Sequence, residues 1–141
     1  AAWALGQIGA PASPVAGNIA KLLEQSTDAL HRSALEALGE IGPAAAPFAI
    51  NVVKSLDKDD AETRQAAVIA IGKMGVPAAP FRNQVANLFR DSDASVRECA
   101  AEAFGHFGPA ARDLIPEVTK LLRDSNQDVR MQAGRALALL G

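Results

Sequence analysis

Ala37-Leu38-Gly39-Glu40-Ile41-Gly42 returns almost unchanged along the chain, and its recurrence decides the fold. It is preceded by Ala4-Leu5-Gly6-Gln7-Ile8-Gly9 and followed by Ala70-Ile71-Gly72-Lys73-Met74-Gly75 and Ala103-Phe104-Gly105-His106-Phe107-Gly108. A fifth copy, Ala136-Leu137-Ala138-Leu139-Leu140-Gly141, has lost its first glycine. The leading alanines stand at 4, 37, 70, 103 and 136, always 33 apart, and nine of the eleven glycines fall in this motif. A fixed period of this kind marks a stack of identical units, each burying its apolar face against the next.

The columns around the anchor alanine describe a helix. Ten residues before it stand Thr27, Asp60, Asp93 and Asn126, whose side-chain oxygens suit an N-cap. Acidic residues gather at the same end (Asp57, Asp59, Asp91, Asp124, Asp128), where the helix dipole favours them. Apolar residues then recur at helical spacing: Val96, Ala100, Ala103, Phe104, Phe107 in one copy, Val129, Ala133, Ala136, Leu137, Leu140 in another. The closing glycines Gly9, Gly42, Gly75 and Gly108 suit a left-handed position just past the helix end. The earlier glycines Gly6, Gly39, Gly72 and Gly105 cost a helix about 1 kcal/mol each against alanine. Their return predicts a close backbone approach from the neighbouring repeat.

A second helix follows each motif. All eight prolines lie after the glycines. Pro11, Pro43, Pro77 and Pro109 punctuate the turn, Pro14, Pro47 and Pro80 suit a first helical turn, and Pro116 sits deeper, where a bend is expected. Apolar columns run through Val15, Ile19, Leu22, Leu23, then Phe81, Val85, Leu88, Phe89, then Leu114, Val118, Leu121, Leu122. The copy with Phe48, Val52 and Leu56 is interrupted by Ser55. Four helix pairs result, at 11–41, 44–74, 77–107 and 110–140, after a half repeat at 1–9.

Composition agrees and narrows the function. The chain of 141 residues is 49% hydrophobic but only 4% aromatic, which suits closely packed helices and not a β-sandwich. A net charge of −2 lacks the basic excess that phosphate binding calls for, and no nucleic acid is expected as a partner. The single cysteine, Cys99, leaves no intramolecular disulfide or cysteine-rich metal site and is compatible with a reducing compartment. No apolar run reaches the roughly 18–20 residues of a membrane span. The chain opens mid-repeat and carries no evident polar cap, so a segment of a longer array, or ends covered by further repeats or a subunit, is expected.

The run Asp91-Ser-Asp-Ala-Ser-Val96-Arg97-Glu-Cys-Ala-Ala-Glu-Ala103-Phe-Gly105, together with Leu114-Ile-Pro-Glu-Val-Thr-Lys-Leu-Leu-Arg-Asp124, resembles HEAT repeats, and more narrowly the short HEAT-like type of phycobilisome lyases. The signature Val-Arg pair appears as Val96-Arg97 and Val129-Arg130, becomes Thr63-Arg64, and is Leu30-His31 in the first full copy. The resemblance spans residues 1–141 as one domain. It implies an all-α α-solenoid, a right-handed superhelix of antiparallel helix pairs, with four full 33-residue repeats plus the N-terminal half repeat. It also implies that Arg64, Arg97 and Arg130 join an arginine–aspartate ladder between repeats, that His31 breaks the first rung, and that the helix ending at the Gly motif lines the concave face.

Few residues offer chemistry. Cys99 and His106 lie seven apart on one helix, about 10 Å along its axis, too far for a nucleophile and its base. The doublets Glu36/Glu40 and Glu98/Glu102 read as solvated stripes, because no apolar surroundings would tune them as an acid–base pair. Asp57-Lys58-Asp59-Asp60 lacks the spacing and the central glycine of a calcium loop, and no glycine-rich loop leads into Lys-Ser/Thr. No catalytic residue, metal site or cofactor is expected.

What varies between repeats is more informative. Positions five and one before the anchor and three after it form one stripe per helix. The stripe reads Arg32, Glu36, Glu40; Gln65, Ile69, Lys73; Glu98, Glu102, His106; Met131, Arg135, Leu139, with Trp3 and Gln7 from the half repeat. Ser33, Ala66, Cys99 and Gln132 form the neighbouring column. Apolar groups at such positions mark contacts, and Ile69 and Met131 stand out. The expected function is a non-enzymatic scaffold or adaptor that holds a protein or peptide on this concave stripe. The alternatives are a HEAT-like module of a larger enzyme or lyase-type complex, and a nucleic-acid-binding solenoid using Arg32, Lys73, Arg82, Arg90, Arg112 and Arg123.

Overall fold

A computed structural model describes residues 16–25 and 27–141. Among them the chain is 90% helical and contains no strand. Helices α1 (Ala16–Gln25) and α2 (Asp28–Ile41) open the described stack; α3 (Ala49–Val53) and α4 (Ala61–Met74) follow. Then come α5 (Arg82–Ala86), α6 (Ala94–His106), α7 (Ile115–Lys120) and α8 (Gln127–Leu140). The helices that end at the Gly motif begin at residues 28, 61, 94 and 127, so the 33-residue period of the sequence is the period of the fold.

Three of these helices start on the expected cap. Asp60 accepts from the Thr63 amide at 3.2 Å, Asp93 from the Ser95 amide at 2.8 Å, and Asn126 from the Asp128 amide at 2.8 Å. Thr27 takes the extended cap conformation but makes no side-chain cap bond. At the other end Gly42, Gly75, Gly108 and Gly141 have φ of 76°, 69°, 65° and 72°. The positive sign was legible, but ψ of −141° at Gly42 and −144° at Gly75 lies outside the left-handed helical well. That mirror-extended region is open to glycine and hardly to anything else.

The helix that follows the Gly motif is composite in each of the last three repeats. Gly42–Phe48, Val76–Phe81 and Gly108–Leu114 are tight 3₁₀ segments that lead into the short α3, α5 and α7. Pro47 and Pro80 fall inside the 3₁₀ segments and not in the first turn of an α-helix. A proline there removes a donor and crowds the carbonyl four residues back, so an α-helix cannot run through it. Pro116 is the second residue of α7, where its missing N–H is one of the unpaired donors of a helix start, so it begins a helix and does not bend one.

Two layers result. Helices α2, α4, α6 and α8 pack side by side in that order, and the composite helices form the other layer, meeting mainly through their 3₁₀ halves. Between the layers runs one apolar core, with Leu35, Leu38, Val52, Ile71, Met74, Val85, Phe104, Phe107, Val118 and Leu140 all buried. The Phe104 ring joins two others in it, 4.9 Å from that of Phe89 and 5.4 Å from that of Phe107.

The inner glycines set the spacing of the first layer. A Cβ on Gly39 would lie 3.1 Å from Cα of Ala70, and one on Gly72 3.1 Å from Cα of Ala103. One on Gly105 would meet Leu139 at 2.9 Å and Cα of Ala136 at 3.3 Å. Each glycine thus receives the anchor alanine of the following repeat, which is the close approach the sequence predicted.

Charged rungs tie the repeats at their turns. Arg64 grips Asp91 through two bonds of 2.8 and 3.0 Å, and Arg97 grips Asp124 through two of 2.9 and 3.0 Å. The remaining arm of each arginine donates at 2.8 Å to a turn carbonyl, Asp59 for Arg64 and Asp91 for Arg97. Arg130 likewise donates to the Asp124 carbonyl at 2.6 Å. The first rung is rebuilt. His31 takes the arginine position, Lys58 the aspartate position, and the ring Nε2 bonds the buried Ser55 hydroxyl at 2.8 Å. The interruptions at His31 and Ser55, separate in the sequence, are one contact.

Candidate functional site

The side chains of the predicted stripe project from the face of the Gly-motif layer that is turned away from the core. Glu36, Glu40, Ile69, Lys73, Glu102, His106, Met131, Arg135 and Leu139 are exposed there, while Arg32, Gln65 and Glu98 are half-buried between neighbouring helices. Ile69 is 38% exposed, Met131 45% and Leu139 64%, which is unusual for side chains of this size. Trp3 and Gln7, also expected on this face, lie outside the described residues.

Stacking turns the stripe into a row of depressions. The first, of about 340 Å³, lies between α2 and α4 and is bordered by Glu36, Glu40, Glu62, Gln65, Ile69 and Lys73. The second, of about 270 Å³, lies between α4 and α6, with Ile69, Lys73, Cys99, Glu102 and His106 on its walls. The third, of about 140 Å³, lies between α6 and α8 and is lined by Glu102, His106, Gln132, Arg135 and Leu139. Ile69 and Lys73 are shared by the first two, and Glu102 and His106 by the last two. The row is therefore continuous. Its floor is made of small residues, Ala37, Gly39, Ala66, Ala70, Gly72, Ala103 and Ala136, among them the Gly39–Ala70 and Gly72–Ala103 pairs at which the helices approach.

Charges along the face are partly engaged. Lys73 pairs with Glu40 across the first depression. Arg32 bonds Asp60 at 3.1 Å and lies 3.9 Å from Glu62. Among the described residues no ion pair reaches Glu36, Glu98, Glu102 or Arg135.

Cys99 and His106 do share the second depression, yet the thiol is not poised for chemistry. Burial, reinforced by Glu102 and Glu98, pushes the Cys99 thiol up to about 11, against the single bond it receives from Gln65 Nε2 at 3.7 Å. A thiol so placed stays protonated at neutral pH and is a poor nucleophile. Among the described residues no group of three His, Cys, Asp or Glu side chains could hold a metal ion, and no helix is long and apolar enough to cross a membrane.

Two cations the sequence left free are occupied by the architecture. Arg82 grips Asp113 of the next composite helix at 2.9 and 3.0 Å. Arg112 caps α8 by donating to the Leu140 carbonyl at 2.8 Å. Sequence reasoning missed both, because neither pair repeats as a column.

Comparisons place these features among known proteins. The family model for HEAT repeats matches residues 82–141. No curated protein matches the chain. Among solved structures, an engineered protein superposes with a TM-score of 0.76 at 21% identity, covering 92% of this chain and 63% of that one. A designed armadillo repeat protein in complex with the peptide (KR)4 gives 0.75 at 19% identity, covering 98% and 72%. A computationally designed armadillo repeat protein for modular peptide recognition gives 0.71 at 20% identity, covering 98% and 73%. The likenesses establish an all-α repeat solenoid. This chain spans less than two thirds of the first of these proteins.

Proposed function

We propose that this solenoid, HEAT-repeat in its residues 82–141, is a non-enzymatic scaffold that docks a segment of a partner protein along the Gly-motif face, its concave side. The observation that carries this reading is the continuity of the three depressions across the four Gly-motif helices, with Ile69 and Leu139 exposed beside a small-residue floor and Met131 exposed on the last of those helices. A pre-ordered surface of this kind loses little conformational freedom when a partner docks. Similarity in fold to designed armadillo proteins that recognise peptides supports the same mode. The internal engagement of Arg32, Lys73, Arg82 and Arg112 argues against a nucleic-acid solenoid, since these are four of the six cations that reading would use.

The test is a peptide selected from an unbiased display library against the purified chain. The double substitution Ile69→Ala/Met131→Ala is expected to weaken its binding about tenfold or more, by removal of two apolar contacts, with helicity by circular dichroism unchanged. Unaltered affinity would remove the Gly-motif face from consideration.

A further inference from the structure

We infer that the occupant of this face is a basic, extended protein segment that places one cationic side chain in each of the first two depressions and an apolar one in the third. The inference rests on the docking role proposed above and adds the chemistry of the partner.

Charge is the first argument. Lys73 is held by Glu40 and Arg32 by Asp60, so the cations beside the first depression are already engaged. Glu36 and Glu102 are exposed, Glu98 is half-buried, and among the described residues none of the three has an ion-pair partner. A neutral occupant would strip water from these carboxylates and return nothing, which opposes binding. A polyanion would be repelled.

Shape is the second. The first two depressions have an apolar floor of Ala37, Ala66, Ala70 and Ala103, an apolar wall in Ile69, and carboxylates on the rim at Glu36 and Glu102. Lysine and arginine have that same division, an aliphatic stem and a charged head. The stem would cover Ile69 and the alanines, and the head would meet a rim carboxylate in a charge-assisted bond. The third depression shares Glu102 with the second, but there Arg135 lies opposite that carboxylate and Leu139 lines the wall, which disfavours a cation and suits an apolar side chain.

Spacing is the third. Stacked helices lie about 8–10 Å apart, and three residues of a polyproline-type extended segment span about 9 Å. Successive depressions therefore accept every third residue, in the order basic, basic, apolar from α2 towards α8.

The experiment is fluorescence anisotropy with three labelled peptides of the form X-Pro-Pro-X-Pro-Pro-Leu, where X is Arg, Gln or Glu. The Arg peptide is expected to bind about tenfold or more tighter than the Gln peptide, to weaken as salt is raised, and to outbind the Glu peptide by a wider margin. Glu36→Gln/Glu102→Gln, two surface changes that keep shape, should abolish the Arg advantage while the Gln peptide binds as before. Equal binding of the Arg and Gln peptides overturns the proposal. If that equal binding is still weakened by Ile69→Ala, the docking face survives and only its charge preference is lost. If no peptide binds and a library-selected ligand is also indifferent to Ile69→Ala/Met131→Ala, both are overturned.

Discussion

Glycine has two opposite values in this chain, and the difference is the neighbour each one meets. Gly72 sits where a Cβ would come within 3.1 Å of the Ala103 backbone, so α6 could not close on α4 with a larger residue there. Gly134 lies inside α8 with nothing beyond its own helix backbone and chain neighbours within 4 Å of the place a Cβ would take. Gly72→Val should therefore destabilise the fold by about 1–3 kcal/mol through overpacking. Gly134→Ala should stabilise it by up to about 1 kcal/mol through helix propensity alone. Urea unfolding of the two variants beside the parent chain measures both, and two changes of the same sign would refute the close-approach account. Much at this scale was legible: the 33-residue recurrence of Gly39, Gly72 and Gly105 announced a constraint, and three of the four cap residues bond as their type suggests. The Arg82–Asp113 pair was not legible, because each residue occurs once in its column and a unique residue leaves no periodic trace.

At the scale of elements, the described junctions between repeats are alike except for the first of them. Where Arg64–Asp91 and Arg97–Asp124 clamp later turns, the first junction has His31 against Ser55, with Lys58 nearby. Burial first, and then the Lys58 charge, hold the His31 imidazole below its ordinary value of 6.5; the Leu23 backbone and then the Asp28 charge oppose them less strongly. As pH falls through 6.5 the unfolded chain takes up a proton that the folded junction refuses, so stability is lost from there down to the lower folded value. The ladder carboxylates behave otherwise. At Asp124 the bond from Arg97 outweighs burial, and at Asp91 burial is outweighed by Arg64 and the Asp93 amide together, so both sit below the usual carboxylate range. Their contribution is intact across the histidine window and is lost only at more acid pH. Thermal unfolding between pH 7.5 and pH 5 should thus show a fall in the parent chain that His31→Leu/Ser55→Leu removes, since replacing both partners of a buried bond with apolar groups is close to neutral. An equal fall in the double variant would assign the effect elsewhere. The sequence marked both His31 and Ser55 as departures, but a helical period registers breaks within an element and not contacts between elements. The 3₁₀ character of Gly42–Phe48, Val76–Phe81 and Gly108–Leu114 was hidden for a related reason: over so short a run, periods of 3.0 and 3.6 residues predict almost the same apolar positions.

For the whole molecule, repetition and variation divide the sequence between them. The repeated residues build the stack: alanine meets glycine, arginine meets aspartate, and glycine turns the chain at each helix end. On the Gly-motif helices, the residues that change from repeat to repeat lie together on the outer surface, along three connected depressions. The stripe was visible as soon as the period was known, because side chains three and four apart share one face of a helix. The depressions between helices were not, since their depth depends on how closely α2, α4, α6 and α8 approach. The central claim is that a partner segment lies along this face, and backbone amide chemical-shift mapping with a bound peptide tests it most directly. The account predicts that the largest changes fall on Glu36, Gln65, Ile69, Glu102, His106 and Met131, with the composite helices at 42–57, 76–90 and 108–123 little affected. Changes concentrated on those composite helices, with the Gly-motif face unmoved, would contradict it.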